Sequence, residues 1–343
     1  MTSETHFQRL LGEATRRAIP LEVSLELTSR CNFRCRHCYL PDHRDRAPLP
    51  TPRFLALLDE LAEMGTLFLT LTGGEPLLHS DWPAIGRHAR RLGFKLAVLT
   101  NGSLVDEETA ATLAELDAEV EVSLHASEPD VFDGVTRRRG SFAATTRGIQ
   151  LLRRHGVPVL LKTTLMTENV SAMPGVTAFA ERVGVSCRIY PNVFARRDGD
   201  GSVLAHRLGE TDLIEHLRGP YAPSKPVSSA VPTDVDEWPM CAAGTRSAAI
   251  TADGDVLACA ILPRTAGSLL TQTFREIWEG SPLLQLLRRV RRSDLAVCSS
   301  CNRYAACGRC PAQALLEDGD LLGPSSAACA YAAALEKARA EQA

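Results

Sequence analysis

In the first half of the chain, short apolar runs alternate with longer stretches of helical spacing. The runs at 21–27, 67–71, 95–99, 121–124, 159–165 and 186–190 have the length and residue types of strands. Helices are expected between them at 51–64, 82–92, 107–116, 141–155 and 172–183, the first with Pro52 in its opening turn. Six strand–helix units with continuous apolar strands predict an α/β fold, a parallel sheet with helices outside. In such a sheet, reactive groups belong at the carboxyl ends of the strands.

Chemistry appears at two of those ends. After the first strand, Cys31, Cys35 and Cys38 sit in the spacing C-x3-C-x2-C. A tetrahedral zinc site wants four ligands, as does a cubane iron–sulfur cluster. Three thiolates from one loop leave one iron open to a small molecule. The second strand ends in Gly73-Gly74-Glu75-Pro76. The two glycines let backbone approach a ligand closely, and the glutamate can hold an ammonium group. A zinc loop or three buried thiols would explain neither the spacing nor the strand-end motif.

Together these motifs resemble the radical S-adenosylmethionine (SAM) enzymes. The resemblance implies an open, partial (β/α)6 barrel over residues 21–194. It implies that the amino acid end of SAM chelates the open iron while Gly73, Gly74, Glu75 and Pro76 receive its amino group. It also implies one-electron cleavage of SAM to a 5′-deoxyadenosyl radical that abstracts a hydrogen atom. Ser123 matches a serine that touches the SAM ribose in similar enzymes, although a serine there can also satisfy nearby backbone. His37 holds the place of an aromatic packed on adenine, and Tyr39 flanks the last cysteine. Asn101 and Lys162 are further candidate cofactor contacts, and His125, Ser127 and Thr164 lie at neighbouring strand ends. Asp133-x2-Thr136-x3-Gly140-Ser141-Phe142 resembles the segment that follows in many relatives.

The second half is rich in cysteine. Of eleven cysteines, seven lie between 241 and 329: Cys241, Cys259, Cys298, Cys301, Cys307, Cys310 and Cys329. The run Ala252-Asp-Gly-Asp-Val256 reads as a hairpin turn that brings Cys259 near Cys241. Cys298, Cys301, Cys307 and Cys310 alone could form a zinc knuckle. Seven thiolates fit two iron–sulfur clusters better. The pattern over 238–330 is similar to the SPASM extension of radical SAM enzymes. That resemblance assigns Cys298, Cys301, Cys307 and Cys329 to a distal cluster, and Cys241, Cys259 and Cys310 to one nearer the barrel. Relatives commonly space the last pair of the run by three residues; here the spacing is two. Three [4Fe–4S] clusters and SAM are therefore the expected cofactors. Residues 1–20 are read as an N-terminal extension, 195–237 as a linker and 331–343 as a helical tail. Cys187, outside every cluster, reads as a small buried hydrophobe or as a catalytic hydrogen-atom donor to a substrate radical.

Composition narrows the setting. A length of 343 residues suits one large domain or two, and a hydrophobic content of 45% is ample for a core. A net charge of −3 argues against broad nucleic-acid binding. The basic runs at 137–139 and 288–292 read as a solvated loop and a solvated helix face. No signal peptide or apolar run of spanning length is visible, so a cytoplasmic protein without membrane contact is expected. Relatives with a SPASM extension most often modify a ribosomally made peptide. The expected function is thus oxidative modification of a precursor peptide by a cross-link, a thioether or dehydrogenation. The alternatives are a small-molecule or cofactor-pathway oxidoreductase, an epimerase using Cys187, and a non-catalytic iron–sulfur or zinc scaffold. About twenty residues before the first strand are too few for a leader-binding domain. A separate leader-binding protein is therefore an expected partner, with a reducing protein such as flavodoxin or ferredoxin.

Overall fold

The computed structural model describes residues 5–219 and 238–340. The expected linker at 195–237 lies partly outside them, as do the two chain ends. The chain opens with α1 (His6–Arg16), capped by Thr5 and Gln8 in a reciprocal capping box. Six strand–helix units follow: β1 (Glu22–Thr28) and α2 (Thr51–Glu63), then β2 (Phe68–Gly73) and α3 (Trp82–Arg91). Next come β3 (Lys95–Thr100) and α4 (Glu107–Glu115), then β4 (Glu119–Ser123) with α5 (Pro129–Thr136) and α6 (Ser141–Arg154). The series ends with β5 (Val159–Thr164), α7 (Met173–Val183) and β6 (Ser186–Tyr190). After α8 (Glu210–Arg218) come β7 (Ser247–Ile250), β8 (Asp255–Leu257) and β9 (Thr265–Ser268). Helices α9 (Phe274–Gly280), α10 (Pro282–Arg289), α11 (Pro311–Asp318) and α12 (Ser326–Ala340) complete the chain.

The strands form one nine-stranded sheet in the order β6-β5-β4-β3-β2-β1-β7-β8-β9. β1 to β6 are parallel throughout. The cysteine-rich half does not build a separate sheet. β7 pairs in parallel with β1, from Glu22↔Ser247 to Leu25↔Ile250, and β8 and β9 continue antiparallel. The hairpin read from the sequence is thus an extension of the barrel sheet.

The expectation of continuous apolar strands is corrected by the two faces. Val23, Leu25, Leu69, Leu71, Leu96, Val98, Val120, Val122 and Leu161 are buried on one face. With Phe54, Leu57 and Leu61 of α2 and Ile85 of α3 they form the main core. The alternate positions are Glu22, Ser24, Glu26, Thr70, Thr72, Glu119, Glu121, Ser123, Lys162 and Thr164. With a side-chain period of two, these share the opposite face. A polar inner face is what a charged ligand requires, and it interrupts the apolar runs.

Helix α5 is an addition to the expected elements, and it accounts for the Asp133 motif. Asp133 accepts from Gly140 N at 2.5 Å, Phe142 N at 2.9 Å and Ser141 Oγ at 2.8 Å. It thereby satisfies the first turn of α6, the work of a capping side chain. The end of α5 accepts from the Cys31–Cys38 loop, Arg34 N to Thr136 O and Arg36 N to Val135 O, both at 3.0 Å.

The basic runs are not simply solvated. Arg138 donates to Asn32 O at 2.7 Å inside the cysteine loop. Arg288 donates to Gly244 O and Trp278 O, each at 2.7 Å, and lies over the Trp278 ring. Arg292 lies 4.0 Å over the Tyr304 ring and donates to Cys301 O. Each guanidinium fastens a loop through its fixed fork of donors, which is why these positions are arginine.

Candidate active site

The loop after β1 is built to hold three thiols over the sheet's carboxyl edge. Asp45 anchors its start, accepting from Thr28 Oγ1 at 2.8 Å and from Ser29 N at 2.6 Å. Asn32 donates to Ser103 Oγ at 2.8 Å and accepts from Asn101 Nδ2 at 2.7 Å. Asn101 therefore binds the loop with its own amide while lining the cavity below.

The Gly-Gly-Glu-Pro turn lies directly against this loop. Gly74 N donates to Thr28 O and Glu75 N to Arg30 O, each at 2.8 Å. Glu75 is fully buried; Thr100 Oγ1 and Asn101 N donate to it at 2.7 Å, and Leu77 N at 3.2 Å. A carboxylate has about four acceptor sites, so one remains for an ammonium group. Pro76 is buried and starts the short turn Pro76–Leu78, so its part is to end β2 and not to line the cavity.

A cavity of about 300 Å³ opens beneath the loop. Cys31, Cys35, His37, Cys38, Tyr39, Gly73, Gly74, Asn101, Ser123 and Lys162 all line it. The structure thus gathers these residues from five strand ends. His125 and Thr164, strand-end candidates from the sequence, line it too, and the structure adds Glu121, Phe132 and Tyr190. Glu121 was legible as the position sharing a face with Ser123. Lys162 Nζ lies 2.6 Å from Glu121 Oε2, outside hydrogen-bonding angles, and 5.5 Å from the centre of the Tyr190 ring. The rings of His37 and His125 meet edge to face at 4.6 Å, and the buried Nδ1 of each lacks a hydrogen-bond partner. Burial pushes His37 down to about 4 and His125 well below its ordinary value, so both are neutral at physiological pH. Ser127 bonds its neighbour Glu128 instead of facing the cavity.

Burial raises Glu75 from its ordinary 4.5 to about 7, against the pull of its three hydrogen bonds. Between those two values the folded chain keeps a proton that the unfolded chain loses. Stability therefore falls as pH rises through that window. Binding of an ammonium group needs the ionised form. SAM affinity of the reconstituted protein should consequently rise as pH passes about 7, and Glu75→Gln should flatten the profile. Anaerobic equilibrium dialysis at graded pH checks this.

Cys187 is placed against its expected hydrogen-donor role. It shares a face of β6 with Ile189, and both pack on the hydrophobic core, while Tyr190 on the other face lines the cavity. Strand alternation turns the thiol away from the cofactor side. Cys187→Ala should cost about 1 kcal/mol in chemical denaturation and leave the rate of 5′-deoxyadenosine formation unchanged.

All eleven cysteines are free thiols. The thiols fall into three sets, and within each set they act on one another. Burial pushes Cys31 up to about 11 and raises Cys35 further; the charge of Cys38 adds to both. Burial likewise takes Cys241 up to about 11, with Cys259 and Cys310 adding. Cys307 is raised by burial and then by Cys329, Cys298 and Cys301. Among the described residues no three or more Cys, His, Asp or Glu side chains are close enough together to hold a metal ion as they stand. The donor chemistry nevertheless fits iron–sulfur clusters: all are thiols, none is bridged, and two of the sets have three members. The loop set fits SAM as well, because Gly73 and Gly74 line the same cavity as the three thiols; Glu75 is fully buried and is not among the residues that line it.

Known proteins resemble this arrangement. The radical SAM superfamily profile matches residues 25–178, and that of the SPASM iron–sulfur cluster-binding domain matches 241–302. Mycofactocin maturase MftC of Mycobacterium ulcerans is 30% identical over 89% of this chain and 86% of its own. An AdoMet-dependent heme synthase of Oleidesulfovibrio alaskensis is 24% identical over 87% of this chain and 84% of its own. The fold also matches Streptococcus suis SuiB, solved with its precursor peptide SuiA, at a TM-score of 0.72 and 18% identity. That match covers 94% of this chain and 79% of SuiB. Among the described residues, no helix is long and apolar enough to cross a membrane. With its thiol loop, its glycine-lined strand end and its cysteine-rich extension, the chain belongs to the radical SAM superfamily, in the group that carries a SPASM domain.

Proposed function

We propose that this chain is an oxidoreductase that modifies a ribosomally made precursor peptide. The observation that carries the reading is the relationship to a maturase, MftC of Mycobacterium ulcerans, at 30% identity over 89% of this chain. The cavity of about 300 Å³ at the strand ends, lined by the three thiols of the loop, is where the cofactor would sit.

When bound, the reduced cluster and SAM supply a carbon-centred radical able to take a hydrogen atom from an unactivated C–H bond. The chain's part is to seat and shield. Gly73 and Gly74 let backbone come close to the cofactor, and Glu75 takes its ammonium. Ser123 reaches the sugar, while the neutral His37 and His125 flank the base. Phe33, Leu40, Leu99 and Phe132 line the cavity with apolar surface and keep water out. Glu121, Lys162 and Tyr190 orient the incoming side chain. Three clusters are proposed, the two auxiliary ones receiving the second electron of an oxidation. A reducing protein of the flavodoxin or ferredoxin type and a separate leader-binding protein are the proposed partners, in the cytoplasm.

Relatedness to a heme synthase favours a second reading, in which the substrate is a carboxylated porphyrin. One experiment separates the two. The reconstituted protein is incubated without oxygen with SAM, dithionite and either any short peptide encoded beside its gene or coproporphyrin. A peptide lighter by a pair of hydrogens supports the proposal. Loss of carbon dioxide from the porphyrin with the peptide unchanged overturns it.

A further inference from the structure

The chain from Tyr39 to Pro50 contains no helix or strand, yet it meets the cysteine loop at both ends. Asp45 holds the start of that loop, accepting from Thr28 Oγ1 and Ser29 N and pairing with Arg30 at 3.2 Å. His43 Nε2 stands 3.6 Å from Cys38 Sγ at the loop's other end. A segment without secondary structure must find partners elsewhere for its backbone groups. They come from the cysteine-rich half. Asp253, at the turn between β7 and β8, accepts with one oxygen from Arg46 N at 3.1 Å and from Ala47 N at 2.9 Å. Leu49 N donates to Ala252 O at 2.9 Å. Leu49 is buried, and a Cβ at Gly254 would stand 2.9 Å from its Cδ2, so the turn and the segment are packed closely.

We propose that Asp253 is a positioning residue for the SAM site: from the tip of the cysteine-rich half's hairpin it fixes the segment that holds the Cys31–Cys38 loop against the Gly73–Gly74 turn. The path is short. Asp253 sets the amides of Arg46 and Ala47, which follow Asp45 directly. Asp45 in turn sets Thr28, Ser29 and Arg30. Thr28 O and Arg30 O are the acceptors for Gly74 N and Glu75 N. A loosened Asp45 therefore disturbs two walls of the cofactor cavity together, the one that carries Cys31 and the one that carries Gly73 and Gly74. A carboxylate makes stronger bonds to backbone amides than a neutral oxygen does. Because the two amides are consecutive, they fix orientation as well as place. Among the described residues, both hydrogen bonds of Asp253 leave its own hairpin, for amides 207 and 206 residues away in sequence. The inference rests on the radical SAM assignment and not on the identity of the substrate.

The test is SAM binding by the reconstituted protein. It is measured by anaerobic equilibrium dialysis and by the change that SAM makes in the electron paramagnetic resonance of the reduced loop cluster. Asp253→Ala should weaken SAM binding roughly tenfold, with full iron and unchanged auxiliary signals. Asp253→Asn keeps an acceptor oxygen in place and should recover most of the affinity. A hairpin that only braces the fold would give Asp253→Ala a lower denaturation midpoint with SAM affinity unchanged, and that result overturns the proposal. So does an Asn variant as weak as the Ala variant, because the carboxylate's charge acting at a distance would then be the cause. If Asp253→Ala does not load its loop cluster, hydrogen exchange of the full chain before reconstitution decides. Faster exchange at Ser29 as well as at Arg46 and Ala47 supports the path through Asp45; faster exchange at Arg46 and Ala47 alone defeats it.

Discussion

Replacing Cys31, Cys35 and Cys38 together by Ala should abolish cleavage of SAM and leave the iron of the two proposed auxiliary clusters in place. The three thiols belong to one loop, and no other cysteine set acts on them; Cys241 and Cys307 each respond to their own partners. Iron should fall from about twelve per chain to about eight, since each cubane carries four. The loop's hold on the fold does not depend on the thiols. It is pinned by Asp45, Asn32 and the end of α5, all of which survive the change. Incubation with dithionite and SAM, with 5′-deoxyadenosine measured by chromatography, is the check. Continued production of 5′-deoxyadenosine would refute the site, and loss of all iron would show that the sets are not independent.

Gly74→Ala should produce nearly the same loss of activity through sterics alone. A Cβ at Gly74 would stand 2.4 Å from both Ser29 O and Arg30 O. These are backbone atoms of the cysteine loop, not flexible side-chain ends, so the loop itself must move. The Glu75 N to Arg30 O bond would be strained or lost with it. A cost of about 3 kcal/mol is expected, at the upper end for overpacking, and the loop cluster should be lost or misplaced. Gly134→Ala is the matched control: its added methyl meets nothing within 4 Å, and it lies inside helix α5. That change should gain about 0.5 kcal/mol. Iron content, SAM binding and denaturation midpoint measured on both variants test the contrast.

The site's motifs were legible because their chemistry is compressed into short segments. Cys31, Cys35, Cys38 and Gly73 to Pro76 each occupy a few consecutive residues, and both fall at strand ends that periodicity could place. The sheet's parallel half was legible for the same reason. What escaped depends on distant parts of the chain meeting. Nothing local marks Asp133 as the cap of α6 or Arg138 as a clamp on Asn32. Asp253 looks like an ordinary turn residue until its partners at Arg46 and Ala47 are known. The polar inner face escaped because its residues are spread singly along β1, β2, β4 and β5, where each reads as a minor interruption. Cys187 shows the limit from the other side: a residue type can suggest a role that a single step in strand parity removes.

The pairing of β7 with β1 carries a consequence for how the protein can be divided. The two halves are separate in sequence, yet the first strand of one is covered by the first strand of the other, more than two hundred residues away. A fragment ending before residue 247 would leave β1 with an open row of amides and carbonyls along Glu22 to Leu25. Such a row invites pairing with other chains. The barrel half expressed alone should therefore aggregate, however well its six units fold. During synthesis the same edge stays bare until β7 emerges, so completion of the sheet waits for the last third of the chain. The boundary at which the protein could be cut into working pieces is not where its sequence changes character.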